Sequence, residues 1–121
     1  MISKKLTDLK NLPTKDLLSV YRQAAADTSN PDPKQANKSH DMMHICYKRL
    51  RQTEEGRAGI VRLFNDLSPH VRCWAAAHGL AWATDEAKVI LASLRDAKGP
   101  CSFDAGMTLG EFEKGRLSFE Y

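Results

Sequence analysis

A chain of 121 residues and 13.5 kDa is the size of one domain, spanning 1–121, and can bury a core without disulfide or metal staples. With 42% apolar and 27% charged residues it has an ordinary globular composition, and no stretch approaches the apolar length of a membrane-spanning helix. The net charge of +3 is small and interrupted: residues 1–60 hold 11 Lys/Arg against 7 Asp/Glu and residues 61–121 hold 7 against 8, which makes a nucleic-acid surface an unlikely partner site.

The opening residues, Met1 to Lys10, carry lysines but lack the apolar core of a secretory signal, so export by that route is not expected. Cys46, Cys73 and Cys101 are widely spaced and odd in number, which fits buried free thiols in a reducing cytoplasm. Alternating strand patterns are nearly absent while helix starts recur, so the chain is expected to be all-α.

The first helix is expected from Thr14, with Asp16 in its first turn and Leu17, Leu18, Val20, Tyr21 and Ala24 along it, ending near Asp27. Asn30-Pro31 breaks it. Asp32 then caps a second helix with Pro33 at its first position, running through Met43, Ile45, Cys46 and Tyr47 to Leu50, with Gly56 as an end or kink. A third runs from Glu54 to Phe64 and stops at Asn65-Asp66.

Ser68 and Pro69 mark the next start: the serine oxygen can accept a first-turn N–H, and the proline lacks an N–H that would have had no intrahelical partner. Val71, Ala75, Gly79 and Trp82 form one helical stripe, and Ala75, Ala76 and Gly79 leave room for a close neighbouring helix. A fifth helix opens at Thr84-Asp85-Glu86, carries Ala87, Val89, Ile90, Leu91 and Leu94, and closes at Lys98-Gly99-Pro100. Ser102 is the expected cap of a sixth, which carries Phe103, Ala105, Met107, Leu109 and Phe112 and has Gly115 at its end. Six helices make three antiparallel pairs, enough for a repeat stack to bury a continuous core.

The stretch from Asp66 to Leu80 resembles the second helix of a HEAT-type hairpin. In such repeats an arginine placed like Arg72 bridges to a carboxylate of the adjacent repeat, a role the resemblance implies for Arg72. The run Val71, Arg72, Cys73, Trp74, Ala75, Ala76, followed by Asp85-Glu86-Ala87 and Leu91 and then by Phe103, Ala105, Thr108, Leu109 and Gly115, resembles a family of small bacterial helical proteins of unknown function. The likeness covers the last half of the chain, with a looser match over Pro33 to Leu50. It implies a HEAT- or ARM-like right-handed stack of about three hairpins with no described catalytic activity. Small HEAT-like proteins of this size are also similar to immunity proteins of contact-dependent and polymorphic toxin systems.

Residues for chemistry are few. His40 and His44 are one turn apart, but Asp41 follows the first and no third ligand is evident, so ordinary partly exposed histidines are the reading. No phosphate loop, nucleophile elbow or cysteine pair occurs, and no acid/base pair can be assembled. Neither an enzyme nor a cofactor is expected.

Trp74, His78 and Trp82 form a second stripe, with Trp74 as a structural residue and His78 and Trp82 as surface candidates. Asp85, Glu86, Asp104, Glu111 and Glu113 can face a basic partner, although cap duty also accounts for the first three. Ser68, Pro69, Val71, Arg72, Trp74, Ala75, Ala76, Phe103, Ala105 and Leu109 are the expected structural positions. The functional expectation is a cytoplasmic bacterial binding protein that occludes a cognate toxin domain, a nuclease being one such domain. Its rivals are a nucleic-acid-binding helical repeat and a small adaptor or scaffold.

Overall fold

The computed structural model describes Leu9 and residues 11–121; the lysine-bearing start considered above otherwise lies outside the described residues. Among the described residues there are six α-helices and no strand: α1 Thr14–Asp27, α2 Pro33–Leu50, α3 Glu54–Arg62, α4 Pro69–Gly79, α5 Thr84–Asp96 and α6 Ser102–Glu113. None of them is long and apolar enough to cross a membrane. The chain divides into two compact units, Met1–Ile60 and Val61–Tyr121.

In the first unit α1 packs along α2. Leu17, Tyr21, Ala24 and Ala25 recur at helical spacing and are buried, as are Met43, Cys46, Tyr47 and Leu50 on α2. Asp32 accepts the Lys34 N–H at 3.1 Å and Pro33 occupies the first turn, so α2 begins where local chemistry places it. At the end of α1, the Thr28 and Ser29 hydroxyls donate to the Ala25 and Ala26 carbonyls at 2.7 and 2.9 Å, taking up acceptors the helix leaves over.

Gly56 neither ends nor kinks α2, which stops at Leu50; it is buried inside α3. A Cβ there would run into the Leu50 backbone carbonyl, and one at Gly59 would meet the Leu18 side chain. The two glycines, three apart and so on one face, let the Leu50 backbone and the Leu18 side chain lie close against α3. Thr53 helps to start this helix by accepting the Gly56 N–H at 3.0 Å.

In the second unit α4 packs on α5 and α5 on α6, with the 3-10 turn Leu63–Asn65 against α4. Ser68 accepts the Val71 N–H at 3.4 Å with Pro69 in the first turn, as its sequence requires. Buried Val71, Ala75 and Gly79 form the expected stripe, but α4 stops at Gly79. Trp82 therefore lies in the following turn, where its N–H bonds the Gly79 carbonyl at 3.1 Å, and the stripe cannot be extended to it.

Two predicted caps are first helical residues instead. The Thr84 hydroxyl donates to the Leu80 carbonyl at 2.7 Å and that of Ser102 to the Arg95 carbonyl at 2.5 Å, so each binds the preceding segment rather than its own helix. After α5 the left-handed position is taken by Lys98, with φ 56°, and not by the adjacent Gly99. Gly115 does end α6 in that conformation, with φ 71°, and the Arg116 N–H returns to the Glu111 carbonyl at 2.9 Å.

The two glycines of α3 separate a rigid obstacle from a movable one. Gly56→Ala must displace backbone and is expected to lose about 2 kcal/mol or more. Gly59→Ala needs only a leucine rotamer change, partly offset by about 1 kcal/mol of helix propensity, and is expected to stay within about 1 kcal/mol of the parent. Urea unfolding of the two variants measures the difference, and equal losses would contradict it.

Candidate interaction surface

The tail after α6 returns to α4. The Phe119 ring meets His78 edge-on at 4.7 Å, and Trp74 lies 5.6 Å from the same imidazole on its other neighbour position one turn back. His78 is consequently only 1% exposed, which corrects its placement among surface candidates: the residue that covers it is distant in sequence and left no local sign. Trp74 is half-buried, as is Trp82 in the turn beyond the helix.

Arg72 donates to the Asp66 and Leu67 carbonyls at 2.7 and 3.2 Å. These bonds pin the loop before its own helix, which differs from the carboxylate bridge implied by resemblance. Val71, Ala75, Ala76 and Ala105 are fully buried and Leu109 nearly so, as expected.

Phe103 is the clearest departure. It was expected in the core, yet it is 76% exposed, and Met107 one turn later is 53% exposed. The physical reason is helical phase. Ala105 and Leu109 turn inward, and positions two residues away from each point to the opposite side. Phe103, Met107 and Gly110 therefore share the outer stripe of α6, and a Cβ built at Gly110 would meet nothing within 4 Å.

Carboxylates border this stripe. Asp104 and Glu111 are two turns apart on one shoulder, and Glu113 falls on the other. Asp104 and Glu113 are exposed, whereas Glu111 is half-buried and paired with Arg116 at 2.8 Å. Asp85 and Glu86 are exposed in the first turn of α5, where they also favour the positive helix end. On the next turn of α5, Lys88 lies over the Phe112 ring at 5.4 Å, so that aromatic is already engaged. A list of the apolar residues along α6 does not separate its inner from its outer side; the spacing of Phe103 and Met107 against Ala105 and Leu109 was the available signal.

The three cysteines are free and buried. Burial pushes the Cys46 thiol up to about 12, against a partial lowering by Arg49, and burial likewise pushes Cys73 up to about 12, helped by Cys101 and Asp104. Among the described residues no group of three or more histidine, cysteine or acidic side chains is arranged to hold a metal ion.

No family model matches the chain, and no curated protein matches it. Among solved structures it is similar to the crystal structure of the protein RPA1889 from Rhodopseudomonas palustris CGA009, with a TM-score of 0.83 and 23% identity over 91% of this chain and 96% of that one. The two share a fold, that of a small all-helical protein.

Two measurements follow from this geometry. Phe119→Ala uncovers His78 and is expected to cost about 2–4 kcal/mol, with faster amide exchange in α4, whereas Phe103→Ser is expected to change stability by less than about 1 kcal/mol. The buried thiols also set an alkaline limit. Below the ordinary thiol value of 9.0 both states keep their protons; above it the unfolded chain releases them first, so stability falls as pH climbs from about 9 to about 12. Cys46→Ala is expected to flatten that decline in urea titrations run across the window.

Proposed function

We propose that this chain is a non-enzymatic protein-binding module that works stoichiometrically, by covering its partner rather than by turnover. The observation that carries the reading is the outer stripe of α6, where Phe103 and Met107 stand exposed with Asp104, Glu111 and Glu113 alongside. An aromatic and a methionine with an acidic border suit a partner that offers an apolar pocket within a basic surface. A nuclease toxin domain has that chemistry, because a surface that binds phosphates is basic. An immunity protein that neutralises such a domain by occlusion is the specific function inferred. Asp85 and Glu86 would add long-range attraction and so act on the association rate.

A HEAT- or ARM-like right-handed stack is the architecture inferred with it, on the support of the Ser68-Pro69 helix start and the small-residue seam of α4. Free buried thiols suit a reducing cytoplasm, which is where a cell needs protection from such a toxin.

The test is binding to the product of the adjacent reading frame, with rescue of cells that express it. A one-to-one complex and rescue are expected. Replacing both Phe103 and Met107 by Ser should leave the fold intact and weaken binding by about 2 kcal/mol or more, roughly thirty-fold in Kd. Asp104→Lys with Glu113→Lys should slow association most at low salt. Absence of both complex and rescue would refute the immunity reading, and steeply salt-dependent binding to nucleic acid would replace it with another.

A further inference from the structure

The start of α4 meets the residue that precedes α6. His70 and Cys73 are three apart on α4 and so share a face, and the Cys101 sulfur lies 3.3 Å from His70 Nδ1. The Cys73 thiol hydrogen-bonds to the Cys101 sulfur, which makes a chain from Cys73 through Cys101 to His70. Cys101 holds the N-cap position of the twelve-residue helix α6, where the backbone N–H groups favour negative charge on a nearby sulfur.

From this cluster we propose that Cys73 and Cys101 form a peroxide-responsive disulfide, with His70 as the proton acceptor that activates Cys101. The Cys101 proton passes to His70 Nδ1, and the thiolate sulfur attacks one oxygen of hydrogen peroxide. The O–O bond breaks, Cys101 becomes a sulfenic acid, and the departing hydroxide takes the proton from His70 and leaves as water. Cys73 then attacks the Cys101 sulfur, forming the S–S bond as the S–O bond breaks, and the released hydroxide leaves as water with the Cys73 proton. Two thiols thus lose two hydrogens while one peroxide is reduced to two waters.

The roles are ordered by environment. Burial holds Cys73 up to about 12, so it is the weaker initial nucleophile. Burial, and then Asp104, also raise Cys101, and the hydrogen bond from Cys73 and the charge of Arg72 offset only part of that rise; its 3.3 Å contact with His70 Nδ1 is what sets it apart from Cys73. Cys46 lies on α2 in the first unit and serves as an internal control, since it is buried as deeply. The resulting bond would tie the start of α6 to α4.

The test treats the folded full-length chain with hydrogen peroxide, blocks remaining thiols after unfolding, and maps the peptides without reduction. The expected product is a Cys73–Cys101 cross-linked peptide pair lighter by two hydrogens, reversed by dithiothreitol, with Cys46 still a free thiol. His70→Gln is expected to slow its formation at neutral pH by about tenfold or more. Separate sulfinic acids on the two cysteines, a bond that includes Cys46, cross-links only between chains, or no reaction of the folded protein would each overturn the proposal. If His70→Gln fails to fold, the parent map still decides whether the pair joins. An unchanged rate in a folded variant would overturn the role of His70.

Discussion

The small residues in the second half of α4 are the constraint on which the second unit rests. Ala75, Ala76, Ala77 and Gly79 are all buried, and α5 and the turn at Leu63–Asn65 pack against this helix. At Gly79 the contact is so close that a Cβ would strike the Phe64 ring. Such small residues bring little apolar area of their own; their contribution is to let a larger neighbour such as Phe64 come close to the helix. The first unit uses the same device on α3, where Gly56 lies against the Leu50 backbone and Gly59 against the Leu18 side chain.

Close packing on one side leaves α6 with apolar residues on two. Ala105 and Leu109 face inward, and Phe103 and Met107 face out. A single exposed apolar side chain is ordinary on any protein surface, but an aromatic and a thioether in register on one helix, bordered by carboxylates, form a patch with a shape and a charge. The same helix begins at Cys101 beside His70, so its inner start is anchored by polar contacts while its outer stripe stays open. The tail beyond Gly115 adds the opposite arrangement at α4, where Phe119 closes over His78.

Helix starts were readable from sequence wherever one residue's chemistry sufficed. Asp32 with Pro33, and Ser68 with Pro69, satisfy first-turn N–H groups within a few residues, and both helices begin there. The exceptions, Thr84 and Ser102, have hydroxyls that find a carbonyl of the preceding segment instead, and that choice depends on how the chain turns before the helix. Periodicity likewise identified the buried stripes of α1 and α2, because these helices have only one apolar side.

What the amino-acid order determined by itself was therefore the all-helical class, most helix boundaries, the buried face of the amphipathic helices and the small-residue seam of α4. Each of these rests on interactions spanning a turn or two. Tertiary structure alone decided that His78 is covered, that Phe103 is exposed, that Gly56 is buried against the Leu50 backbone, and that His70, Cys73 and Cys101 meet. Those outcomes depend on which distant segment arrives at a given surface, and burial and contact across such separations have no local signature.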